Sequence, residues 1–170
     1  VATPDDLKGM KIRCLENNTY MNTYSALGAN PTPMAWSETI PGLQQKTVEG
    51  LDASISVLYT SGFADICDYL SLTNQFFAAI LICISETEWN KLTEQQQTWL
   101  REAATEACAL QADFQVQADE DNLAKMEEAG MTIIRDVDYD AFKAKLGGFY
   151  DSMKDSIGAE YVDALFAAIS

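Results

Sequence analysis

Between Thr93 and Gly130 the chain contains neither proline nor glycine, and this stretch limits the possible folds more than any other feature. Thr93 followed by Gln96 makes a capping box. Beyond it Trp99, Leu100, Ala103, Ala107, Leu110 and Phe114 recur at steps of three and four, the spacing of one helical face. The stretch therefore predicts one long helix, or two in line. At about 1.5 Å per residue it is roughly 50 Å long, more than the diameter of a domain of this size. A coiled coil would use such a length, yet the stripe is alanine-rich and loses regularity after Phe114. A helix spanning two lobes accounts for it better.

The remaining sequence alternates strand and helix signals, which argues for an α/β layer. "KIRCLE" reads as a strand and "NTYMNTYSALG" as a helix with Tyr20, Tyr24 and Leu27 on one face and Gly28 as its cap. "NPTPMAW" is extended, because each proline pushes the preceding residue out of helical geometry. Ser37 is expected to cap a short helix with Pro41 in its first turns, ending near Gly50. From Ser56 to Leu70 the spacing is mostly helical, and "FFAAILICIS" reads as a buried strand. Ser85 with Glu88 opens a short helix. "MTIIRDV" is a strand, Asp138 opens a helix that turns Phe142, Leu146, Phe149 and Met153 inward, and "EYVDALFAAI" is the last helix.

Composition excludes several functions. With 26 acidic against 11 basic residues, the formal charge of −15 disfavours nucleic acid and anionic lipid as partners. An anionic ligand would need a locally basic, partly desolvated contact. The most apolar run, Phe76 to Ile84, is about half the length of a membrane span, so the chain reads as soluble, without direct membrane insertion. The absence of initiating Met reads as processing, trimming or excerption from a longer chain. There is no histidine, which removes the commonest general base and counts against a zinc site and against an enzyme. No cofactor is implied. Cys14, Cys67, Cys83 and Cys108 each sit in an apolar pattern and read as small buried hydrophobes, with disulfide pairing left open.

Five stretches, "DLKGMKIRCLENN", "LGANPTPMAWSE", "LQQKTVEGLDA", "LYTSGFADICDYLSLT" and "LTEQQQTWLREAATEA", occur in an order and spacing that resembles the DctP-type solute-binding proteins of TRAP transporters. The resemblance implies a periplasmic-binding-protein-like α/β lobe with a mixed sheet and a long helix running across two lobes. It implies that residues 4–78 and 119–170 form the second ligand-binding lobe, while residues 79–118 complete a first lobe that this chain lacks. Such a fragment could dimerise or swap. In the family the arginine of the K-[IL]-R strand pairs with the ligand carboxylate, and here that position is Arg13. A planar guanidinium matches two carboxylate oxygens in a way that lysine does not. Without the resemblance, Arg13 reads first as a strand-end arginine paired with Glu16 or Asp6, and the resemblance reverses that order.

Other positions follow from the same motifs. Trp36 stands at the aromatic position that packs over the ligand in relatives, and its plainer reading is core packing. Glu16 and Asn17 follow the arginine where relatives present polar contacts, and Gln75 replaces a common histidine; surface polarity explains each as well. Where members read G-x-E-N-P, this chain reads Gly50-Leu51-Asp52-Ala53-Ser54, so Ala53 has no side-chain donor for a second anchor. The expected function is an extracytoplasmic, periplasmic receptor, without catalysis, that binds an organic acid anion and delivers it to TRAP membrane subunits. The alternative is an interaction or oligomerisation module built on the long helix.

Overall fold

The computed structural model describes residues 1–77 and 79–169. After a 3-10 turn at Pro4–Leu7 come β1 (Lys11–Cys14), α1 (Asn18–Ala26) and β2 (Asn30–Pro33), a compact β-α-β crossover. Asn17 starts α1 by accepting the Thr19 amide, and Gly28 ends it at a φ of +92° that a side chain would resist. Next come α2 (Trp36–Gln44), β3 (Gly50–Leu51), α3 (Ile55–Thr60) and β4 (Tyr69–Ser71). The chain continues through α4 (Glu86–Trp89), α5 (Glu94–Glu128), β5 (Thr132–Ile134), α6 (Tyr139–Ile157) and α7 (Ala159–Ile169).

The strands make two sheets, β2-β1-β3 and β4-β5. The α/β class matches the expectation, but every ladder among the described residues is parallel rather than mixed. Arg13 sits opposite Thr32 on one side and Leu51 on the other. Because β1 is flanked by β2 and β3, the chain order reverses at its own first strand. In open parallel sheets that reversal, at the carboxyl ends of the strands, is where ligands bind. The core lies on one face of β1, where Ile12 and Cys14 pack with Tyr24, Leu27, Phe142 and Leu146.

The long element is a single helix. α5 has 35 residues, and the Thr93–Gln96 capping box is present at its start. Its buried positions all lie near the C-terminal end, at Asn122 and Met126. There α5 docks on α3 through a polar hub, in which Ser56 Oγ donates to Asp119 Oδ1 at 2.8 Å and accepts from Gln115 and Asn122. Trp99, Leu110, Phe114 and Val116 face solvent. No helix of the described residues is long and apolar enough to cross a membrane.

Four local expectations are corrected. α2 begins at Trp36 with Ala35 as its cap, so Ser37 lies inside the helix, and the helix ends at Gln44, well before Gly50. The helical reading of Ser56–Leu70 holds only as far as Thr60. Gly62, at a φ of +78°, breaks it, and the chain makes one 3-10 turn at Phe63–Asp65 before it enters β4. The apolar run from Phe76 is not a buried strand. Phe76 stacks on Tyr20 at 4.4 Å, but Phe77 is 96% exposed and Ile80 91%, with no strand pairing; Ala78 lies outside the described residues. A strand needs a neighbour to satisfy its backbone, and none of the described residues provides one. Of the cysteines, Cys14 is buried and Cys67 half-buried, whereas Cys83 and Cys108 are exposed; all four are free thiols.

Candidate functional site

Alternation along β1 turns Ile12 and Cys14 into the core and Arg13 to the opposite face. Arg13 is only 3% exposed. Its Nε and Nη2 donate to the carbonyl oxygen of Met34 at 3.1 and 2.9 Å. That carbonyl is available because β2 runs through Pro31 and Pro33, keeping the chain extended to the sheet edge where Met34 follows. The Trp36 ring lies 5.2 Å from the guanidinium carbon, and Phe63 meets the indole edge-on at 5.5 Å. Cation–π attraction and the two hydrogen bonds hold one edge of the guanidinium. The residue lines a cavity of about 520 Å³ together with Glu16, Met34, Trp36 and Glu38.

No ion pair engages Arg13 among the described residues, so the Glu16 or Asp6 pairing does not occur. Asp6 instead accepts the amides of Ala2 and Thr3 at 2.7 and 2.9 Å. Glu16 is an exposed wall of the cavity, and Trp36 is 40% exposed, which rules out plain core packing. Asn17 does not line this cavity; its side chain is occupied as the α1 cap.

Asp52, Ala53 and Gln75 belong to a second cavity of about 920 Å³, which opens between the β3 and β4 edges. Tyr24, read from sequence only as a core residue, is also there, and its hydroxyl accepts from Gln75 Nε2 at 2.6 Å. Burial raises the Asp52 carboxyl above its ordinary value, while the Arg13 charge pulls it down. Burial and the Asp52 charge together push the Tyr24 hydroxyl far up. Burial likewise raises Cys14, with Asp52 adding to it. The structure thus groups Arg13, Glu16 and Trp36 in one place and Asp52, Ala53 and Gln75 in another, linked by the field of Arg13. Sequence reasoning missed the Met34 carbonyl, which no side-chain motif could reveal. It also missed Glu38, although that residue stands within the quoted "AWSE".

Comparisons with known proteins place the sequence and the overall fold among solute-binding proteins. The chain is 34% identical over 149 residues to the 2,3-diketo-L-gulonate-binding periplasmic protein YiaO of Escherichia coli, covering 86% of this chain and 45% of that protein. A TRAP periplasmic solute-binding protein from a Polaromonas species, solved with D-erythronate, superimposes with a TM-score of 0.90 at 29% identity, over 96% of this chain and 54% of that one. A second, from Ochrobacterium anthropi with L-fuconate, gives 0.81 at 38% identity over 89% and 50%. The chain therefore spans about half the length of the relatives it matches. The profile described as bacterial extracellular solute-binding protein, family 7 (DctP) matches residues 1–156, and the chain belongs to this family.

Proposed function

We propose that this chain is one ligand-binding lobe of a periplasmic receptor that captures an organic acid anion for a TRAP-type secondary transporter, with Arg13 holding the carboxylate. The carrying observation is the state of Arg13. A buried cation that forms no ion pair among the described residues, anchored along one edge and lining an open cavity, supports a carboxylate contact there. Trp36 supplies a wall over it and Glu16 a polar rim. The relatives' names and bound sugar acids support the ligand class. Asn17 serves through the turn it caps, and Ala53 leaves room where other members place a side-chain donor.

Residues 4–78 and 119–170 form the second lobe in this reading, and residues 79–118 belong with a first lobe outside this chain. The exposed apolar side chains of Ile80, Leu81, Trp99, Leu110 and Phe114 support it, because surfaces of this kind normally meet a partner. The same surface supports a second reading, self-association of this chain. Light scattering across a concentration series separates them, since a clean monomer removes the second. Thermal-shift and calorimetric screening against sugar acids, C4-dicarboxylates, 2-oxo acids and aromatic acids, repeated with Arg13→Lys, tests the receptor reading. If no acid binds, or if Arg13→Lys binds equally well, the reading fails.

A further inference from the structure

Arg13 and Asp52 stand on neighbouring strands. Arg13 sits opposite Leu51 in the β1–β3 ladder, and Asp52 is the next residue along the chain. Arg13 is almost fully buried and lines the smaller cavity, whereas Asp52 lines the larger one. A carboxylate and a guanidinium therefore lie side by side without forming an ion pair, each open to a different cavity. Unit charges this near act on each other without touching when water is largely excluded. Other groups face Asp52 from each side. β1 adds the Cys14 thiol, α1 the Tyr24 hydroxyl, and the segment after β4 the neutral Gln75 amide that holds Tyr24 at 2.6 Å. The remaining charged groups of the larger cavity, Val1, Asp6, Lys11, Lys46, Glu49 and Asp68, do not act on its proton.

Arg13 favours the ionised form of Asp52, and through the same interaction Asp52 offsets part of the charge that Arg13 presents to a ligand. A ligand carboxylate on Arg13 competes for that charge. Once it is bound, the guanidinium favours the Asp52 anion less, and the carboxyl holds a proton more tightly. Binding that draws in a proton strengthens as pH falls. Building on the Arg13 reading, we propose that Asp52 is the counter-charge of Arg13 and takes a proton from the solvent as the ligand carboxylate arrives, so that the receptor holds its acid more tightly in acidic than in neutral surroundings. Asp52 acts through Arg13 and is a positioning residue. Glu16 and Glu38, which line the Arg13 cavity itself, are the competing sites for that proton.

Carbon-detected NMR of the Asp52 carboxyl in the 170-residue chain, across a pH series from about 3 to 8 and with D-erythronate as the probe, tests this. Saturating erythronate is expected to move the Asp52 midpoint upward, and erythronate affinity to rise severalfold as pH falls through it. Asp52→Asn should bind erythronate independently of pH above about 5, and severalfold more tightly than the wild type at neutral pH. Arg13→Gln, which removes the charge, should raise the Asp52 midpoint with no ligand present. An Asp52 midpoint that stays in place on adding erythronate, or in Arg13→Gln, overturns the proposal. So does a pH dependence that persists in Asp52→Asn, which assigns the proton to Glu16 or Glu38. These outcomes leave the Arg13 reading standing. Erythronate binding that is equal in the wild type and Arg13→Lys, or absent altogether, overturns that reading and the proposal with it.

Discussion

The single carbonyl of Met34 holds the Arg13 guanidinium by two hydrogen bonds, from Nε at 3.1 Å and Nη2 at 2.9 Å. This uses one edge of the donor fork and leaves Nη1 outside both bonds. Arg13→Lys replaces the fork with a point charge that cannot span the same geometry. The expected result is a loss of about 1–3 kcal/mol of stability, together with at least about tenfold weaker binding of any acid probe. Urea titration and calorimetry measure the two effects. If both stay unchanged, Arg13 is not an anchored carboxylate contact.

Trp36 touches both Arg13 and Phe63, so its replacements should be graded. Trp36→Phe keeps an aromatic edge contact and is expected to cost under about 1 kcal/mol, whereas Trp36→Ala removes the ring contact and the cation–π partner and should cost about 1–2.5 kcal/mol. Thermal melts of the pair check the order. Equal losses would show that the aromatic face has no role.

Asp52 gives a pH dependence with a definite sign. Burial raises its folded pKa above the ordinary 3.8, partly countered by Arg13, so the folded chain binds this proton more tightly than the unfolded one. Stability therefore falls as pH rises from about 3.8 through the raised value, and the cost is fully present above it. Asp52→Asn should remove this falling limb and stabilise the protein at neutral pH. Asp6 and Glu127 act oppositely. Backbone hydrogen bonds lower Asp6 and the Arg135 hydrogen bond lowers Glu127, so their contributions are lost as pH falls below the ordinary carboxylate range. The difference in urea midpoint between wild type and variant, followed against pH, isolates Asp52. A flat difference would contradict this assignment.

The two halves of α5 should respond unequally to mutation. Met126 is fully buried at the docked end, and Met126→Ala is expected to cost about 2–5 kcal/mol. Ser56→Ala, which empties the polar hub, should cost about 1–3 kcal/mol. Phe114→Ala, at an exposed position of the same helix, should stay within about 0.5 kcal/mol. Chemical denaturation of the three variants decides. A large effect at Phe114 would mean that a partner or another part of the chain covers that face in solution.

The features legible in the sequence were those set by local stereochemistry. The α5 cap at Thr93, the Gly28 stop of α1 and the β1 strand all depend on a few neighbouring residues and kept their predicted places. The errors came where a local pattern needed distant support. The Phe76–Ile84 run has strand composition, but strand formation requires a second backbone beside it, and none is present among the described residues. β3 and β4, two and three residues long, carry too little pattern to be read alone and exist because β1 and β5 pair with them.

The same division applies to the site. The family motif in the sequence pointed to Arg13 as the expected carboxylate contact, and guanidinium geometry, intrinsic to the side chain, suits that role. Only the tertiary structure decided that Arg13 would be anchored by Met34, free of Glu16 and Asp6, and within the electrostatic reach of Asp52. It also joined Tyr24 to Gln75 across 51 positions of sequence. Those relationships depend on which strands the crossovers bring side by side, and spacing along the chain does not encode that.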